Sequence, residues 1–572
     1  MLVSDKARAL SPEMDPLRLG IGWSLEDLNK PKIMIESTFG DSHPGSAHLD
    51  QLVQEVYAGI AEAGGKGTRF YGTDICDGEA QGHDGINYSL ASRDMLANLV
   101  EIHGCATPFD GGVFLSSCDK GLPAMLMGLA RLNLPSIVVT GGVMSPGPDL
   151  LTLDELGKYS ARYQRGEITK EQLDFYKTHA CPSCGACQFM GTANTMQVMS
   201  EALGLMLPGT ALMPALGAEL KDAARAAGRQ VLKLMETGLT ARKIVTAQSF
   251  ANAICVHAAI SGSTNAILHL PALAHEFGLT LTAGDFERIH QKAHYILDIR
   301  PAGRWPSSYL YYAGGVPAVM EEIKGELDLS VLTVTGKPLG ENLAELKAST
   351  FYSKREDGLK KIGLKKQDII RPYDHPISGH GTIAILKGNL APEGAVVKHS
   401  AVPREMFQAV LRARPFDCEE EAIAAVLKHE IRPGDAVLVR YEGPRGSGMP
   451  EMFYTTEAIS SDKELGKTIA LITDGRFSGA STGPAIGHVS PEAAEGGPIA
   501  LVEEGDLIEL DIPNRILRIC GLAGAPKSEA EIAAVLAERK AAWKPRPSKY
   551  TSGVLKFYTQ HAVGAMQGGY MK

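Results

Sequence analysis

Three cysteines crowd one short turn, Cys181-Pro-Ser-Cys184-Gly-Ala-Cys187. Thiolates are soft ligands, and three sulfurs at this spacing suit an iron–sulfur cluster or zinc. The run lacks the fourth cysteine and proline of the ferredoxin pattern, and no second pair lies nearby to complete a structural zinc site, so unliganded thiols stay open as a third reading. In Ser117-Cys118-Asp119-Lys120-Gly121 a soft thiolate stands beside a hard carboxylate, a combination that could serve two different metals. The plain alternative is a surface Asp–Lys pair. In Cys76-Asp77-Gly-Glu79-Ala-Gln-Gly-His83-Asp84-Gly85, acids, a histidine and glycines make an oxygen-rich loop without EF-hand spacing. A solvated turn is its alternative. A fourth loop, Thr473-Asp474-Gly-Arg-Phe-Ser478-Gly-Ala-Ser-Thr-Gly483, could turn backbone N–H groups toward a carboxylate or phosphate. Ser478 is not in a G-x-S-x-G elbow and no His/Asp partner accompanies it, which argues against a hydrolase triad. Glu442 and Glu451 stand on a glycine-rich stretch just before it. Gly466-Lys467-Thr468 looks like the end of a P-loop, but Ser461 occupies the earlier glycine position.

These loops need elements to hold them. Lys32–Glu36, Gly112–Ser116 and Ser136–Thr140 read as strands. Leu49, Leu52, Val53, Val56, Tyr57 and Ile60 recur at helical spacing, so His48–Ala63 reads as a helix stopped by Gly64-Gly65, and Met125–Leu132 as another. This βαβ rhythm predicts an α/β domain with a largely parallel sheet. After the charged run Lys354–Asp368 the pattern changes to short strands at Thr382–Leu386, Ala436–Arg440, Thr468–Ile472, Ile499–Val502 and Leu507–Ile512. The expectation is an α/β domain over 1–374 and a β-barrel-like domain over 375–572.

The chain has 572 residues, a net charge of −9 and 62 glycines. Its length implies more than one core. The acidic balance argues against a nucleic-acid binder and a polybasic membrane anchor. Nine cysteines cannot all pair within one chain. With no apolar leader at the start, the expected setting is cytoplasmic and reducing. The uncharged run Ile244–His275 carries too many polar side chains for lipid and reads as protein interior. Cys105, Cys255, Cys418 and Cys520 are isolated and read as core thiols.

In this order, the motifs resemble those of the dihydroxy-acid and 6-phosphogluconate dehydratase family across nearly the whole chain. They run from Asp77-Gly and Gly82-His-Asp-Gly-Ile-Asn-Tyr-Ser-Leu90 through Cys118-Asp-Lys120 and Ala180–Asn194 to Gly262-Ser-Thr-Asn265. Arg440-Tyr-Glu-Gly-Pro444, Thr473–Gly479 and Gly487–Ala493 complete the set. The resemblance implies loss of water from a 2,3-dihydroxy carboxylic acid to give a 2-keto acid, in a site between the two domains. It implies Cys118 and Cys187 as cluster ligands, and Asp77, Asp119 and Glu451 as Mg²⁺ (or Mn²⁺) ligands with Lys120 as a carbamate. Ser478 would be the general base. It further implies a homodimer or homotetramer.

The chain departs from the pattern at one position. Family members with a [2Fe–2S] cluster place a third cysteine in the loop after the first strand, where Asp41-Ser-His-Pro-Gly45-Ser-Ala-His48 carries Gly45 instead. Cys76, then Cys184, are the candidates for the third ligand, and [4Fe–4S] stands beside [2Fe–2S]. For the substrate, Gly82-His-Asp-Gly and Asp474–Gly479 favour the 2,3-dihydroxyisovalerate type of branched-chain synthesis, whereas Trp23–Leu28 resembles dehydratases of aldonates such as gluconate, xylonate or arabinonate. A non-catalytic electron carrier or cluster-based sensor would use the same cysteines and leave Glu451 and Ser478 without a task.

Overall fold

The computed structural model describes residues 2–462, 464–479 and 483–572. Ala480, Ser481 and Thr482, part of the serine loop singled out above, lie outside the described residues.

Lys32–Ser37 (β1), Lys66–Tyr71 (β2), Gly111–Ser116 (β3) and Ser136–Thr140 (β4) form an all-parallel sheet of order β2-β1-β3-β4. Every residue of β1, β3 and β4 is buried, the reason they read as continuous apolar runs rather than alternating ones. The crossovers are helices Leu49–Glu62 (α1), Tyr88–Ala106 (α2) and Gly121–Leu132 (α3). The chain runs from β1 outward to β2 and then back past β1 to β3. The loops after β1 and β3 therefore meet at a topological switch point, the place where open parallel sheets bind ligands.

Helix α1 buries Leu49, Leu52, Val53, Val56 and Ile60, as its periodicity demands. Helix Thr192–Ala202 (α4) is buried along its whole length. Helix Ala218–Thr237 (α5) lies against α1 with no side chain between the backbones at two points. A Cβ on Gly59 would stand 2.0 Å from Arg225 O, and one on Gly228 2.3 Å from Val56 O. The uncharged run becomes two buried helices, Ala247–Ala259 (α6) and Ala266–Glu276 (α7). Its polar side chains find partners inside the protein: His257 bonds His290 and Ser263 O, and Asn265 bonds Thr192 and Glu451. Among the described residues no helix is long and apolar enough to cross a membrane.

The second sheet has nine strands: Ile383–Leu386 (β5), Gly394–Lys398 (β6), Gln408–Phe416 (β7), Asp435–Val439 (β8), Ala470–Thr473 (β10), Ala485–Ser490 (β12), Leu507–Asp511 (β13), Ile516–Leu522 (β14) and Ala525–Pro526 (β15). Glu451–Met452 (β9) and Arg476–Phe477 (β11) make a separate two-stranded parallel ribbon. In the order β15-β14-β13-β7-β8-β10-β12-β6-β5 the centre is parallel and both flanks are antiparallel. The sheet curls until Lys387, just past β5, pairs with Ile516 at the start of β14, so it is barrel-like as expected. Gly388 permits that closure: a Cβ there would lie 2.2 Å from Leu517 O.

Two local readings are corrected. Ile499–Val502 is not a strand; Pro498–Leu501 form a 3₁₀ turn started by the proline. Cys105 is exposed, not a core thiol, and Cys418 and Cys520 are only half-buried; Cys255 is buried as expected. The C-terminal segment returns to the first sheet's helices. Arg93 on α2 donates to Gly568 O and Gly569 O, and the amide of Met571 donates to Asp94.

Candidate metal and cluster site

The loops after β1 and β4 and the cysteine turn are stitched together by backbone hydrogen bonds. Gly185 N donates to Pro44 O at 2.9 Å, Ala186 N to Gly142 O at 3.1 Å and Met144 N to Ala186 O at 2.9 Å. Gly185 has φ +116°, and its Cβ would strike Met144 N at 2.5 Å, so the turn between Cys184 and Cys187 needs this glycine. Asn194, on the first turn of α4, fixes the far side by donating to Cys187 O and Phe189 O. On the β3 side, Gln197 holds Ser117 O and Gly142 O.

The Cys118 and Cys76 thiols act on each other: Cys118 holds Cys76 below the usual thiol range, while Cys76 and burial push Cys118 well above it. Cys187 is pushed up by burial and feels the charge of Cys76. Cys184 is half-buried on its turn, and Cys181 is exposed. Among the described residues no three sulfurs converge on a single point, as one zinc ion would require.

A Cβ on Gly45 would lie 3.3 Å from Cys118 Sγ. The backbone of the β1 loop thus aims position 45 at the cysteines, although this chain has no side chain there. His43 fills the neighbourhood instead. Its Nδ1 is 3.0 Å from that Cβ position and has no partner among the described residues, while Nε2 bonds buried Asp74 at 3.0 Å.

Next to the sulfurs lies an acid triangle. Asp77, Asp119 and Glu451 are buried, and one carboxylate oxygen from each falls within 4.8 Å of the others. Two cations compensate them. Lys120 Nζ donates to Asp77 at 2.7 Å and Asp119 at 2.8 Å, and Arg476 to Glu451 at 2.5 Å. Both cationic side chains are fully buried, so the reading of Lys120 as a surface ion pair does not hold. Burial drives Asp119 up and Glu451 to about 7. Asp77 faces the same burial, yet Lys120 and Arg476 hold it below the carboxylate range. Burial and Arg476 pull the Lys120 ammonium down, but the three carboxylates outweigh them and raise it. Asp119 Oδ1 is buried without a partner among the described residues. Three convergent hard oxygens with an ammonium lying between them, beside the orphaned Asp119 Oδ1, fit a divalent cation such as Mg²⁺. Cys118, one residue from Asp119, places soft and hard donors side by side.

Each acid comes from a different element. Asp77 opens a short helical turn after β2, Asp119 follows β3, and Glu451 lies in β9. The β9–β11 ribbon pairs Glu451 with Arg476 and Met452 with Phe477, which delivers Ser478 directly after β11. Ser478 is half-buried and opens on a pocket shared with Thr264, Lys398 and His488. The next residue, Gly479, packs on the start of α4: its Cβ would lie 2.9 Å from Gly191 Cα and 3.4 Å from Thr192 N. Asn265 ties the two halves by donating to Glu451 and Thr192.

Other sequence candidates fall away. Glu79, His83 and Asp84 are exposed, so of the candidate ligands in the 76–85 loop only Cys76 and Asp77 are held inside. Asp474 accepts three backbone amides, from Tyr441, Glu442 and Ala493, and Glu442 binds Ser447; both are structural. The structure adds Arg476, Asn265, His43 and His488. Each sat inside a quoted motif or loop without a role, because only packing shows that it is buried among ionised or unpartnered groups.

Two family sequence models match the chain, the N-terminal one of the dihydroxy-acid/6-phosphogluconate dehydratases over residues 30–342 and the C-terminal one over 368–569. The chain belongs to this dehydratase family. Its relatives include a dihydroxy-acid dehydratase of Nitratidesulfovibrio vulgaris (strain Miyazaki F), 44% identical over 96% of this chain and 95% of the relative. Dihydroxy-acid dehydratase 1 of Methanosarcina acetivorans is 44% identical over 96% of both chains. The dihydroxy-acid dehydratase of Agathobacter rectalis is 42% identical over 99% of this chain and 98% of its own. The chain is thus a dehydratase, a hydro-lyase acting on a small molecule, and the electron-carrier or sensor reading has no support.

Proposed function

We propose that the chain is a dihydroxy-acid dehydratase that converts a 2,3-dihydroxy acid of the dihydroxyisovalerate type into its 2-keto acid, using Mg²⁺ and an iron–sulfur cluster. The observation that carries the reading is the adjacency of the buried Asp77–Asp119–Glu451 triangle, the Cys76–Cys118 pair and the pocket of Ser478. The names of the relatives favour this substrate over aldonates. The cytoplasmic setting, the division at 374/375 and a homodimer or homotetramer belong to the same reading.

Asp77, Asp119 and Glu451 would hold Mg²⁺, with Lys120 as a carbamate. Carbamylation needs the neutral amine, which the three carboxylates suppress until a cation takes them over. Cys118 and Cys187 would hold the cluster, with Cys76, tied to Cys118, ahead of Cys184 as the third thiolate. When bound, the two groups supply Lewis acidity, Mg²⁺ toward the carboxylate and C2 hydroxyl and the cluster toward the C3 hydroxyl. Ser478 Oγ, as an alkoxide, takes the C2 proton as the C2–H and C3–O bonds break; that proton passes on to the departing C3 hydroxyl, so water and an enol result and the alkoxide is restored. The enol tautomerises to the 2-keto acid. Arg476 keeps the acid triangle from repelling an anionic substrate.

The test is 2-keto acid formation by anaerobically reconstituted enzyme, on 2,3-dihydroxyisovalerate beside an aldonate panel, with and without Mg²⁺. Turnover of aldonates alone would move the assignment to a sugar acid. Ser478→Ala should keep both metals and lose about 10²–10⁴-fold in turnover, the worth of a general base. Near-normal activity in that variant refutes the base assignment. EPR of the reduced protein distinguishes [2Fe–2S] from [4Fe–4S].

A further inference from the structure

At His488 the chain leaves the regular strand path. Strand β12 pairs antiparallel with β6, and the register shifts between Gly487 and Ser490. Inside that bulge His488 takes φ +57°, and its amide donates to Gly475 O at 2.8 Å. A non-glycine residue in the left-handed region carries backbone strain, and a bulge re-aims the side chain it bears. The imidazole is 1% exposed, and among the described residues neither ring nitrogen has a hydrogen-bond partner.

Such a group calls for an explanation, because buried polar atoms are nearly always paired. The contrast with His257 is direct. That histidine is equally buried, but bonds His290 through Nδ1 at 3.1 Å and Ser263 O through Nε2 at 3.0 Å, as a structural histidine should. His488 instead lines the pocket that Ser478 opens on. Lys398, also on the wall, is engaged by Ser261 O at 2.7 Å. Burial and the nearby Arg476 hold the His488 ring at about 3, so it is neutral at working pH, with one donor and one acceptor nitrogen. A hydroxyl, itself donor and acceptor, can answer either.

We propose that His488 is a substrate-binding residue that hydrogen-bonds a hydroxyl of the 2,3-dihydroxy acid and so holds its C2–H bond within reach of Ser478 Oγ. The inference rests on the dehydratase reading above. It accounts for the strain, the bulge and one of the two unpaired nitrogens with a contact made only when substrate is bound.

Two variants of the holoenzyme test it. His488→Gly relieves the left-handed strain and removes the ring, while His488→Asn tolerates the same φ and keeps a donor and an acceptor. Cluster absorbance and Mg²⁺ content should match wild type in both. His488→Gly should lose about 10–100-fold in kcat/KM, the worth of a hydrogen bond lost at a buried site. His488→Asn should recover part of the loss, and free imidazole should restore His488→Gly saturably. A deuterium isotope effect at C2 should rise in His488→Gly. The proposal is overturned if His488→Gly stays within threefold of wild type. It is equally overturned if activity falls in parallel with cluster or Mg²⁺ content and neither asparagine nor imidazole restores it. A wild-type holoenzyme that turns over no 2,3-dihydroxy acid overturns the dehydratase reading itself, and the hydroxyl contact with it.

Discussion

Arg476 sets the charge balance of the site. Its guanidinium is fully buried and is divided among Met449 O, Glu451 and Ser89, with Asp77 3.5 Å away. Removing one partner of a buried ionic network leaves the others uncompensated, which costs about 3–5 kcal/mol. Arg476→Met should therefore melt at a lower temperature than wild type in EDTA. Because its acids are then short of positive charge, added Mg²⁺ should raise its melting temperature by more than it raises wild type's. Equal Mg²⁺ shifts in the two proteins would show that Arg476 does not face the cation site. Sequence alone could place Arg476 in a motif, but could not tell an arginine on a loop from one sealed between two carboxylates.

At the scale of elements, the site depends on how closely the first sheet's helices are packed. Gly59 and Gly228 bring α1 and α5 into backbone contact, and α1 carries the loop that faces Cys118. In Gly228→Ala the added Cβ meets Val56 O, a backbone atom that cannot rotate away. The helices must separate, at a cost of about 1–3 kcal/mol typical of overpacking. A melting temperature equal to wild type's would mean that this contact is not tight. The elements most legible in the sequence were those with a continuous apolar run, such as β3 and β4, or one clear period, such as α1. The least legible were β6, β7, β12 and β14, whose strand character depends on neighbours distant in sequence, and Pro498–Leu501, where apolar composition imitated a strand.

For the whole molecule, buried titratable groups of two kinds oppose each other. Burial holds His257 at about 4 and His488 at about 3, below the ordinary 6.5. The unfolded chain therefore binds protons that the folded one refuses, and stability falls as pH drops from 6.5 toward those values. Burial lifts Glu201 to about 7, and Glu442 and Glu492 to about 8, from 4.5. The folded chain then keeps protons that the unfolded one releases, and stability falls as pH rises from 4.5 through 7–8. Each group contributes up to about 1.4 kcal/mol per pH unit within its window. The metal-free protein should show a broad maximum between the two ordinary values, where the effects oppose each other, with losses on both sides. A melting temperature that climbs steadily to pH 8 would contradict this.

The order of motifs along the chain determined the family, the soft and hard donor types, and the pairing of an α/β domain with a barrel-like one. Those follow from local chemistry: thiolates suit iron, carboxylates suit Mg²⁺, and periodicity reveals which face of a helix or strand is buried. What only the tertiary structure decided is which donors meet. Asp77, Asp119 and Glu451 converge across 374 positions of sequence because the switch point of one sheet lies against the β9–β11 ribbon of the other domain. The same packing left Glu79, His83 and Asp84 in solvent and turned Gly45 toward Cys118. It also buried His43 and His488 with unpaired nitrogens. Burial and convergence are properties of packing between distant segments, and no spacing within one segment encodes them.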